Sequence, residues 1–77
     1  MRTAIDDYIV DKVREIREEK DLSQKDLSYA VNKSKNFISK RENGTEKYNI
    51  VHINEIARVL GCSPKDFLPE KPFNLNL

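Results

Sequence analysis

An all-α domain of five short helices is what this sequence predicts, on three observations. Apolar residues recur at three- and four-residue spacings along most of the chain. Each such run opens on a side chain able to cap a helix. No run alternates apolar and polar residues until residue 73. A chain of 77 residues has room for one small domain. With a single cysteine there is no internal disulfide, so helix packing has to carry the stability.

The first helix is expected over residues 5–20, with Ile9, Val13 and Ile16 on one face and Thr3 or Asp6 as its cap. Ser23 opens the second, with Asp26 as capping-box partner and Leu27 and Val31 facing inward. Asn32 and Lys33 form a sharp turn, because asparagine tolerates a left-handed backbone better than other non-glycine residues. Ser34 is expected to cap a third helix over residues 34–43, which stops at Gly44.

After a polar loop, Asn49 caps a fourth helix over residues 50–60. Its apolar stripe is Ile50, Ile53, Ile56 and Leu60, with Ala57 alongside, and Gly61 ends it. Ser63, Pro64 and Asp66 read as N-cap, first-turn proline and an acid at the third position of a last short helix. Phe67 and Leu68 on that helix are expected to close the core. The domain is therefore placed at residues 1–68. Residues 69–77 form a tail that either frays, packs as an extended arm on a second subunit, or leads to a further domain.

Several functional classes are set aside. No apolar run approaches the roughly 20 residues of a membrane span. Asp6, Asp7 and Asp11 interrupt the place where a signal peptide would need continuous apolar sequence, so a soluble, cytoplasmic protein is expected. His52 and Cys62 are the only histidine and cysteine, too few for a zinc site, and Cys62 reads as a small apolar residue. No nucleophile–base pair or glycine-rich phosphate loop occurs, and Glu18 and Glu19 lie on a solvated helix face. Neither an enzyme nor a cofactor or metal is expected.

Charge points elsewhere. The net charge is only +1, but Lys33, Lys35, Lys40, Arg41 and Lys47 face just Glu42 and Glu46 within residues 33–47, around the third helix. On a wheel of roughly 100° per residue, burying Ile38 turns Lys35, Asn36, Ser39, Lys40 and Asn43 to the other side. Lysine donates to guanine, and asparagine pairs in two places with adenine. The first residues of such a helix lie deepest in a major groove. Lys35 and Asn36 are the first candidates to read bases, followed by Ser39 and Lys40. Phe37 is placed with the base readers on mixed duty, touching thymine methyls or folding back on the second helix to buttress the turn. Phosphate contacts are assigned to Gln24, Arg41, Asn43 and Lys47, with Arg41 alternatively lying along its helix over apolar surface.

The stretch LSQKDLSYAVNKSKNFISKRENG, with VREIREEKDLSQKDL before it and EIARVLGCSPKDF after it, resembles the phage repressor/Cro (XRE-like) helix-turn-helix family over about residues 13–68. The resemblance implies a compact, lambda-repressor-like five-helix domain whose helices 2 and 3 form the helix-turn-helix. It also implies a homodimer on a two-fold double-stranded DNA operator, with Gln24, Lys35, Asn36, Ser39, Lys40 and Asn43 at positions that meet DNA. Glu42 would be structural, holding a basic side chain or a backbone donor near the turn. Departures are Asn32 for the family's usual glycine, Lys33 and Arg41 at commonly apolar positions, Asn54 for a frequent leucine, and Glu46 as an added acid.

The expected function is sequence-specific binding of double-stranded DNA by a dimeric transcription regulator, a repressor or an activator. Two alternatives stand beside it. One is the antitoxin of a toxin–antitoxin pair, its C-terminal tail holding a protein partner. The other is a protein-interaction module that no longer binds DNA, which the near-neutral charge and acidic first helix would suit.

Overall fold

The computed structural model describes residues 2–74. Among these residues every regular element is helical: α1 (Ala4–Glu19), α2 (Gln24–Ala30), α3 (Phe37–Glu42), α4 (Ile50–Leu60) and a closing 3-10 turn, Pro64–Phe67. The expected five α-helices are thus four and a single 3-10 turn. Ser63 accepts from the Lys65 N–H at its start, and Pro64 sits in its first turn. The chain goes extended again at Leu68, with φ −110° and ψ 148°, before an α-turn can close.

α1 is set at its N-terminus by Asp6, whose carboxylate accepts from the Thr3 backbone N–H at 2.7 Å and from its hydroxyl at 3.0 Å. That backbone donor, aided by the Thr3 hydroxyl, Lys47 and Arg2, outweighs partial burial and holds the carboxyl below its ordinary range. The buried positions of α1 are Val10, Val13 and Arg17, with Ile9 and Ile16 packed at the flanks. The expected stripe is therefore rotated by about one residue, and it carries a guanidinium at its end.

α1 and α2 both stop in the same way. After α1, Asp21 takes φ 57°, the Leu22 N–H reaches Arg17 O at 3.2 Å and the Asp21 N–H reaches Glu18 O at 3.0 Å. After α2, Asn32 takes φ 64°, with Lys33 N–H to Ser28 O and Asn32 N–H to Tyr29 O, both 2.9 Å. This paired closure satisfies carbonyls that a helix end leaves open. The left-handed turn expected at Asn32 is present; the one at Asp21 was not anticipated.

α2 begins as expected, with Ser23 Oγ accepting from the Asp26 N–H at 2.9 Å. α3 is shorter than expected. Ser34 does not cap it; its carbonyl instead accepts from the Phe37 N–H at 3.0 Å, making residues 34–36 a turn. α4 keeps its expected bounds, with Asn49 Oδ1 accepting from the His52 N–H at 2.8 Å and Gly61 left-handed at φ 72°.

The core gathers Val10, Val13, Leu27, Val31, Phe37, Ile38, Tyr48, Ile53, Ile56, Ala57, Leu60 and Phe67. α2 packs on α3, and α1 packs on α3, α4 and the 3-10 turn. Two expected members are absent. Ile50 is 72% exposed and Leu68 39% exposed. Ile50 is the first residue of α4, where a side chain leaning toward the N-terminus runs past the core; Leu68 follows the 3-10 turn on extended backbone. In the tail, Phe73 meets the Tyr8 ring edge-on at 5.6 Å. The last three residues of the alternating 73–77 pattern lie outside the described residues.

Candidate nucleic-acid interface

Ile38 is fully buried, and this sets the orientation of α3. Burying such a side chain contributes roughly 1.5–3 kcal/mol relative to leaving it in water. Lys35, Asn36 and Lys40 are exposed and Ser39 is half-buried. Asn36 stands at the N-cap position without a side-chain cap bond. The Ser39 hydroxyl donates back to Asn36 O at 3.1 Å.

Phe37 belongs to the core instead, at 8% exposure. The His52 ring meets it edge-on at 4.8 Å, and the Arg41 guanidinium lies 3.8 Å from its ring centroid. Arg41 also donates to Phe37 O at 3.0 Å, so its charge is folded back along α3. Phe37 therefore turns inward, against His52 and Tyr48, and is withdrawn from the base readers, while Arg41 takes the alternative of lying along its helix.

Gln24 is likewise turned inward: its amide donates to Glu42 Oε1 at 2.8 Å. Glu42 is the hub of this side of the domain. Arg17 grips it with two parallel bonds, Nε to Oε2 at 2.9 Å and Nη2 to Oε1 at 3.0 Å, and Arg17 Nη1 donates to Leu22 O at 2.7 Å. The Arg17 and Glu42 side chains are 9% and 4% exposed. The structural role expected of Glu42 is visible here with its partners.

The exit from α3 carries the remaining candidates. Asn43 is exposed, and its side-chain Oδ1 accepts from the Thr45 N–H at 3.1 Å and from the Thr45 hydroxyl. Lys47 is exposed, with its Nζ 3.9 Å from Asp6. Arg2, which sequence reasoning passed over, donates to Arg41 O at 2.6 Å and Glu46 O at 3.2 Å while bonding Asp7. A cation at the last turn complements the negative end of the helix. No local signal marks Arg2 for that task, since Arg41 is 39 positions away.

Among the described residues no helix is long and apolar enough to cross a membrane. No group of three or more His, Cys, Asp or Glu side chains is gathered as a metal site among them.

Two short helices joined by an asparagine turn, the second buried by one aliphatic residue and lined outward by lysine and asparagine, define a helix-turn-helix domain. The chain belongs to the Cro/C1-type HTH DNA-binding domain family, matched over residues 12–69. It is similar to the control protein C.BamHI of Bacillus amyloliquefaciens, 38% identical over 58 residues that span 74% of this chain and 72% of that one. The restriction-modification controller protein C.AhdI of Aeromonas hydrophila superposes with a TM-score of 0.71 at 25% identity, over 78% of this chain and 87% of that one. A hypothetical transcription factor from Neisseria, NHTF, shares the fold with a TM-score of 0.78 at 20% identity, over 84% of this chain and 75% of that one.

Proposed function

We propose that this protein is a transcription regulator that binds double-stranded DNA sequence-specifically as a dimer, laying α3 in the major groove. The observation that carries the proposal is the burial of Ile38 together with the exposure of Lys35, Asn36 and Lys40 beside it. Lys35 and Asn36, in the turn that leads into α3, read base edges, with Lys40 and the Ser39 hydroxyl beside them on the helix. Asn43 and Lys47 meet the phosphate backbone. Gln24, Phe37 and Arg41 serve DNA indirectly, by holding α3 and its exit.

C.BamHI is a control protein and C.AhdI a restriction-modification controller. A regulatory task of that kind, in the cytoplasm and without catalysis, fits this chain. The domain is assigned to residues 1–68 and the rest of the chain to a tail, of which Phe73 rests on Tyr8 of α1.

Selection of bound duplexes from a random pool should return one two-fold site with half-sites about one helical turn apart. Against that site, Asn36→Ala should lose discrimination at one or two base pairs, whereas Lys47→Ala should weaken all duplexes alike. Recovery of no preferred sequence, or identical behaviour of the two variants, would sink the assignment.

A further inference from the structure

We infer that Ser28 is a positioning residue for the DNA-reading helix: its hydroxyl on α2 caps α3 from outside and sets where Lys35, Asn36 and Lys40 sit. This rests on the DNA-binding reading above, and the test below separates the two.

α3 begins without a side-chain cap of its own. Asn36, at its N-cap position, has φ −100° and ψ 8° and makes no side-chain cap bond. Ser23, Asn49 and Ser63 each cap their own element. The first N–H groups of a helix have no partner within it, and one left unpaired in the interior is costly. In α3 the Phe37 N–H is satisfied by Ser34 O at 3.0 Å. The next donor, the N–H of Ile38, is buried and points to Ser28 Oγ at 3.0 Å, ten residues earlier in the chain.

The hydroxyl is locked in the orientation this requires. Ser28 is fully buried, and its own proton goes to Gln24 O at 2.8 Å, one turn back on α2. With the proton committed there, a lone pair faces Ile38. The bond therefore ties one defined peptide of α3 to one defined turn of α2. Gln24, whose carbonyl receives the Ser28 proton, also bonds Glu42 at the far end of α3 through its amide. Both ends of the reading helix are thus referred to the same turn of α2.

The consequence lies in recognition. Hydrophobic burial of Ile38 fixes which side of α3 faces out, but it is non-directional and tolerates sliding. A hydrogen bond to the backbone at the second residue of the helix restricts both sliding and rotation. Base contacts need placement within about 0.5 Å, whereas contacts to phosphates by long lysines do not. Losing the Ser28 hydroxyl should therefore blur base reading more than general affinity.

Ser28→Ala removes one oxygen without adding bulk and favours helix, so the variant is expected to fold. Ser28→Thr keeps the oxygen. Amide hydrogen exchange in the free protein should show the Ile38 N–H losing protection in Ser28→Ala and regaining it in Ser28→Thr. With the duplex recovered by selection, Ser28→Ala should bind about tenfold more weakly, with random duplex unchanged. Unchanged Ile38 exchange in Ser28→Ala would overturn the cap. Equal weakening toward selected and random duplex would overturn its role in reading. A parent protein that binds no duplex would defeat the DNA-binding reading itself, and the exchange data, which need no DNA, would still decide the cap.

Discussion

Glu42 shows how much of this domain hangs on single side chains. Its carboxylate accepts from Arg17 twice and from Gln24 once, so one residue of α3 is bonded to both preceding helices. The pair is almost fully shielded from water, and a buried charge whose partner is removed stays desolvated without compensation. Glu42→Ala should therefore cost about 3–5 kcal/mol, against a total of roughly 5–15 kcal/mol for a typical domain. Urea unfolding measures this directly as a lower midpoint at constant slope. A loss well under 1 kcal/mol would mean that the guanidinium reaches water once its partner is gone. The sequence marks Glu42 as structural through family resemblance, but it does not mark Arg17. An arginine is expected on a solvated face, and its partner lies 25 positions away.

At the scale of elements, what could be read from sequence was what is decided locally. The caps at Ser23 and Asn49 and the stop at Gly61 each depend on atoms within a few residues, and all three stand where the residue types place them. The start of α3 failed that test because its second N–H is satisfied by Ser28, across the turn, and not by Ser34. The stop at Asp21 was missed because aspartate adopts left-handed backbone too rarely to be read as a signal. α4 carries a local feature with a pH consequence. His52 Nδ1 accepts from the Asn49 N–H at 3.1 Å, which requires the neutral ring. Burial, then Arg41 and Lys33, push its pKa below the ordinary 6.5. Protonation would remove the acceptor and set a cation at a positive helix end, with Glu55, which lines a surface pocket together with His52 and Lys33, the nearby opposing charge. Because the folded form resists the proton, stability is intact above pH 6.5 and falls as pH drops through that value. Thermal unfolding at about pH 7.5 and pH 5.5 should show a lower midpoint at the acid value, an effect absent in His52→Gln, which keeps an acceptor without titrating. Equal pH dependence in the two proteins would assign the effect to other groups.

For the molecule as a whole, the distribution of charge matters more than its sum. With a net charge of +1, long-range attraction to DNA is weak, and affinity has to come from the lysines around α3. The outward side of α3 was legible because one buried isoleucine determines the wheel and neighbouring residues follow from it. Gln24, Phe37 and Arg41 were not, since their orientation depends on Glu42, His52 and Tyr48, which approach only in the folded chain. The inward turn of Arg41 leaves Lys35, Lys40 and Lys47 as cations of the proposed interface, six in a dimer. Lys35 and Lys40 on base edges and Lys47 on the backbone all bring positive charge into the field of the phosphates. Six such cations displace counterions for a slope of about −5 in a plot of log affinity against log salt, or a loss near 10³-fold between roughly 50 and 200 mM. Titration of the selected duplex at several salt concentrations measures the slope, and Lys47→Ala should reduce its magnitude by about two, one phosphate from each subunit. A slope near half the expected value would mean that one chain, not two, occupies the site. A slope near zero would remove duplex DNA as the partner, because no protein that displaces counterions from the phosphates can escape that dependence.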